Sequence, residues 1–109
     1  MNNVIIAAPM FHATPYWNFD PILWRGIDPA LSRGQLPVSW YVSEAKVEWA
    51  ITHVAEKYRC LVKEVIVFEV IEKPIALFWV SSYAQVFRTS VLMRPSAVYP
   101  AYNWFPIEN

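Results

Sequence analysis

The hydrophobic pattern changes period several times along the chain, and each change marks an element. Residues 4–8 (VIIAA) are continuously apolar, Pro9 interrupts them, and residues 10–13 resume the run with His12 inside it, as a strand broken at a proline would read. In "NFDPILWRG" a short helix is expected: Asp20 at the cap, Pro21 at the first helical position, Ile22, Leu23 and Trp24 inside, and Gly26 free to take the left-handed conformation that terminates a helix. "IDPALSRG" repeats this grammar, with Asp28 capping, Pro29 starting and Gly34 stopping. The β-branched and aromatic residues 38–42 then predict a strand, after which Ser43 is placed to cap a helix.

Over residues 44–58 the period becomes helical. Val47, Ala50, Ile51, Val54, Ala55 and Tyr58 fall on one face and should be core. Trp49 falls on the wet side with Glu48, Thr52 and Glu56, and His53 lies near the same face, which reads as a covered or partner-seeking tryptophan beside a solvated histidine. Residues 64–71 (EVIVFEVI) read as a strand buried on both faces, residues 75–80 as a second strand, and residues 85–93 as a third. The tail 99–109, "YPAYNWFPIEN", has prolines and aromatics without a period, and is expected as an irregular strap or contact surface. Strands and short helices first, then consecutive strands, predict an α+β fold.

Composition narrows the function. A chain of 109 residues that is 56% hydrophobic can build one core and no more, so residues 1–109 are read as a single domain. Nine basic and nine acidic residues cancel, which argues for neither a phosphate-tracking surface nor an acidic tail. No apolar run reaches the roughly 18 residues of a membrane span, and the start lacks the basic flank of a signal peptide, so no membrane partner is expected. The single Cys60 cannot pair within the chain, which suits a reduced, cytoplasmic protein with a small buried thiol. Only Gly26 and Gly34 occur, so there is no glycine-rich phosphate loop, and the separation of His12, His53 and Cys60 gives no metal-ligand spacing.

Four motifs then stand in a telling order: "HAT" in the first strand, "ILWRGIDP", "WYVS" running into the main helix, and "MRPSAV" after a distal strand. In this order they resemble small ADP-ribosyltransferase-like domains of the H-Y-[EDQ] type, from Phe11 to about Val98. The resemblance implies a split β-sheet core with one main helix and short helical turns, and NAD as the substrate of mono-ADP-ribosyl transfer to a protein or nucleic-acid acceptor. It carries His12 to the histidine that bonds the NAD ribose, and Ala13 to the backbone contact with the nicotinamide amide, with Thr14 completing that motif. Tyr41 becomes the ring on which nicotinamide stacks, and Ser43 the small hydroxylic residue that follows. Gln85 takes the third catalytic position, while Arg25 and Arg33 stand where bidentate donors could hold the pyrophosphate.

Each residue also has a plainer role to play. His12 alone reads as a hydrogen-bonded core histidine, Tyr41 as a strand aromatic, and Arg25, Arg33 and Arg88 as surface charges. Two departures from the pattern bear on chemistry. Gln85 can hydrogen-bond a ribose hydroxyl but cannot accept its proton, and Ala13 adds a methyl where glycine lets a backbone approach a ligand. A second reading is therefore a catalytically degenerate scaffold that binds or inhibits a protein through Trp49 or the aromatic tail, with a homodimer open. A third, removal of an RNA 2′-phosphate, is less favoured by the neutral charge.

Overall fold

The computed structural model describes residues 3–4, 9–31, 38–71, 78–80 and 86–105, the side chains of 3–4 and 78–80 aside. The chain is α+β. Its strands are β1 (Asn3–Val4), β2 (Met10–Pro15), β3 (Ser39–Val42), β4 (Val65–Val70), β5 (Phe78–Val80), β6 (Val86–Thr89) and β7 (Ala97–Pro100). They form one sheet in the order β1-β5-β6-β3-β2-β4-β7, and every neighbouring pair is antiparallel. Helices α1 (Phe19–Arg25) and α2 (Val47–Tyr58) cover its two faces.

Alternation along the strands sorts the core into two clusters, because successive strand side chains point to opposite faces. Met10, Tyr41, Phe68, Val70 and Phe87 join Ile22 of α1, with Ile27 and Met93, on one face. Phe11, Val42, Val65 and Val67 join Val47, Ala50, Ile51, Val54 and Ala55 of α2 on the other. The helical stripe expected of residues 47–58 is thus the packed face of α2, with Tyr58 half-buried at its end. β4 supplies buried residues to both clusters and lies between β2 and β7, which accounts for its nearly continuous apolar sequence.

Several boundaries move for local reasons. α1 begins at Phe19 after a 3-10 turn over Tyr16–Asn18, so Asp20 lies inside the first turn and is not its cap. Asn18 occupies the cap position, and its side-chain amide donates to Thr14 Oγ1 (2.8 Å), tying the turn back to β2. A 3-10 turn over Glu44–Lys46 likewise delays α2 to Val47; Ser43 precedes that turn in extended conformation and makes no side-chain cap bond to it. Asp28 does cap, accepting the Ala30 amide at Oδ1 (2.9 Å), and Pro29 opens a 3-10 turn over Pro29–Leu31. Gly34 lies outside the described residues.

Gly26 ends α1 with φ +85°. A side chain here would be strained by that φ, and its Cβ would also meet Leu92 Cδ2 at 2.9 Å and the Met93 carbonyl oxygen at 3.0 Å. The close approach lets Ile27 and Met93 exchange backbone hydrogen bonds of 2.7 and 3.2 Å, fastening the end of α1 to the chain beyond β6. The tail corrects the sequence reading in part. Tyr99 and Pro100 belong to edge strand β7, paired with Val67 and Ile66, and only then does a 3-10 turn follow at Ala101–Asn103. Trp104 packs edge-to-face on Phe11 and Tyr99 (both 5.9 Å), so this part of the tail closes the α2-side core.

Candidate functional site

The site arises where the sheet comes apart. β2 and β3 share one register pair, Phe11↔Val42, and beyond it they diverge. Backbone polar groups exposed by such a split need partners, and the His12 ring supplies one: its Nδ1 lies 2.7 Å from the Trp40 carbonyl oxygen. A carbonyl only accepts, so Nδ1 carries the proton and neutral His12 keeps an acceptor lone pair at Nε2. Desolvation lowers the His12 pKa from its ordinary value, with the bond to Trp40 opposing that shift in part. The ring is therefore held neutral and oriented.

A cleft of about 410 Å³ opens at this split. His12, Ala13 and Thr14 of β2 face Ser39 and Trp40 of β3 across it, Ile22, Gly26 and Asp28 close it from the α1 side, and Trp49, His53, Lys57 and Tyr58 line it from α2. Trp40 is 48% exposed and Trp49 51% exposed, so the cleft is flanked by open indole surface. Trp49 stacks on His53 one helical turn away (5.2 Å between centroids, 14° between planes). The Arg88 guanidinium lies 5.6 Å from the Trp40 ring centre, consistent with their positions as cross-strand partners on β6 and β3.

The residues expected at the site are only partly brought together. His12, Ala13 and Thr14 line the cleft. Ala13 also packs against the α2-side core, which gives its methyl a use that glycine would lack. Tyr41 lies beside His12 (5.6 Å between ring centroids) but is 1% exposed, buried among the α1-side core, and lines no part of the cleft. The nicotinamide-stacking role carried to it by resemblance is not accommodated in this geometry, because core side chains cover the ring. Burial also pushes its hydroxyl far above the ordinary phenol range.

Ser43 stands at the approach to α2, and exposed Arg25 lies in the last turn of α1; neither lines the cleft. Arg33 and Gln85 lie outside the described residues. Cys60 packs at the margin of the α2-side core, where desolvation and then Glu64 raise its thiol pKa, the reverse of an activated nucleophile. Among the described residues, no three His, Cys, Asp or Glu side chains group to hold a metal ion, and no helix is long and apolar enough to cross a membrane.

Trp40, His53, Lys57 and Asp28 line the cleft without having been expected there, and Trp49, expected as a covered or partner-contacting residue, lines it too. The i, i+4, i+8 spacing of Trp49, His53 and Lys57 marks a ridge beside the core stripe and was readable as such. What that ridge faces depends on how β2 and β3 part, and no local pattern encodes that. Chemically, the cleft offers a neutral imidazole acceptor, flat indole surface, a lysine ammonium and a carboxylate, which suits a flat polar ligand. Comparison of the chain with models of known protein families, with curated proteins and with solved structures finds no match.

Proposed function

We propose that the cleft binds NAD through its nicotinamide nucleoside end, as an ADP-ribosyltransferase-like site serving transfer to a protein or nucleic-acid acceptor. The observation that carries this reading is His12, locked as a neutral Nδ1–H tautomer by Trp40 at the point where the sheet splits. Its Nε2 is then available to accept a ribose hydroxyl, and the indoles of Trp40 and Trp49 offer the flat surface that buried Tyr41 does not. In the transfer itself the nicotinamide leaves with the glycosidic bond pair while the acceptor attacks the ribose carbon, so orientation of the ribose is the protein's main task.

A second reading, binding without transfer, is favoured by the burial of Tyr41, which removes one of the residues that the resemblance assigns to catalysis. Two measurements separate the readings. Thermal unfolding with excess NAD should show a raised midpoint in the wild type, by linkage, and little rise in His12→Gln. Free nicotinamide released on incubation with NAD and candidate acceptors reports transfer. No rise in the wild-type midpoint would set NAD binding aside, whereas a rise without nicotinamide release would establish the second reading.

A further inference from the structure

The wall contributed by α2 is chemically unlike the rest of the cleft. Trp49, His53 and Lys57 recur every four residues, so their side chains form one ridge along the helix, spanning roughly 12 Å from first to last at about 1.5 Å per residue. The ridge begins in an indole stacked on an imidazole and ends in an ammonium. Lys57 Nζ lies 5.7 Å from the centre of the Tyr58 ring, so the ammonium is held close to an aromatic surface that also lines the cleft. Across the cleft, on the α1 side, stands the opposite charge, Asp28, one of whose carboxylate oxygens is already engaged by the Ala30 amide.

This polarity gives a ligand a direction. A lysine ammonium one helical turn from an imidazole that can donate or accept suits an anionic oxygen cluster. Asp28 on the far wall suits hydroxyl or amino donors and repels a phosphate. The indoles of Trp40 and Trp49 line the same cleft. A cleft of about 410 Å³ also stands toward the small end of ligand sites, which run from roughly 300 to 1,000 Å³. That volume suits one nucleotide unit better than two.

We infer that the His53–Lys57 end of α2 is a phosphate subsite, so that the cleft takes a nucleoside monophosphate unit, with its phosphate on α2 and its sugar toward His12. The inference rests on the nucleotide-binding reading of the cleft and adds to it where the phosphate goes. In a full dinucleotide the phosphate nearest the nicotinamide ribose occupies this subsite, and the second nucleoside lies outside the cleft.

The test is a calorimetric titration of nicotinamide mononucleotide against nicotinamide riboside, two ligands that differ by one phosphate, into wild type, Lys57→Ala and Lys57→Arg. Lys57 is an exposed side chain, so these variants should keep the fold. The mononucleotide should bind about ten-fold more tightly than the riboside in the wild type, the scale of one charge-assisted hydrogen bond. Lys57→Ala should bring the two ligands to equal affinity, and Lys57→Arg should restore most of the difference. Equal binding of both ligands to the wild type, or a preference that survives Lys57→Ala, overturns the phosphate subsite while leaving a nucleoside cleft. Binding of neither ligand overturns the nucleotide reading and the subsite with it.

Discussion

β2 meets its two neighbours on different terms. Toward β4 it stays in register for six pairs, from Met10↔Val70 to Pro15↔Val65; toward β3 it keeps one, Phe11↔Val42. The β4 side is dry and closed, with Val65, Val67, Phe68 and Val70 at or near zero exposure. The β3 side is held by a side chain, His12 to the Trp40 carbonyl, and opens into the cleft. One strand is thus held in two ways: a continuous ladder anchors it on one side, and a single pair leaves a cleft on the other.

The largest effect should come from the closed side. Phe68 is fully buried and stacks against Phe19 of α1 at 6.3 Å. Phe68→Ala is expected to cost about 3–5 kcal/mol in urea unfolding, from lost transfer energy and the cavity left behind. Gly26→Ala should come next, at about 1–3 kcal/mol, because it combines a positive φ with a methyl driven against Leu92 and the Met93 carbonyl. A cost near zero there would mean that the end of α1 moves freely, and the α1 wall of the cleft with it.

The split itself is tested through His12. His12→Ala removes the donor to the Trp40 carbonyl and should destabilise by about 1–3 kcal/mol, less than the change at Phe68. The same residue predicts a pH dependence. Its folded pKa lies below the ordinary value of 6.5, so above that pH both states are neutral and the native state is not penalised. As pH falls below 6.5 the unfolded chain takes up the proton first, and stability drops until the folded pKa is passed. Urea unfolding from pH 8 to 5 should therefore show an acid loss that is reduced in His12→Gln; identical pH profiles would contradict the neutral-histidine assignment. The smallest effect is expected at the exposed ridge, where Trp49→Ala should change stability by no more than about 0.5 kcal/mol while weakening any cleft ligand.

The same contrast explains what the sequence could reveal. Features written in local spacing were legible: the buried stripe of α2, the doubly buried β4, the Asp28–Pro29 turn and the positive φ at Gly26. Helix starts were less so, because 3-10 turns at Tyr16–Asn18 and Glu44–Lys46 absorb residues that carry ordinary capping signals. Edge strand β7 was hidden by its terminal Pro100, because a proline cannot donate to a ladder and reads as a break. "HAT" lines the cleft and Tyr41 does not, since alternation tells which face a strand residue takes and not what covers that face. The α2 wall stayed unread for a related reason: Trp49 and His53 share a helical face, but the pairing that opens a cleft before them joins strands about thirty residues apart in sequence.

A ligand site in the gap between β2 and β3 differs from a merely imperfect ladder in how its amides respond to NAD. Amide hydrogen exchange measured residue by residue, with and without saturating NAD, separates the two. Exchange should slow at Ala13, Thr14, Ser39 and Trp40 and along the Trp49–Tyr58 stretch of α2, with little change in the β4–β7 ladder. Exchange left unchanged by NAD at the cleft-lining amides would mean that the gap is only an imperfect ladder.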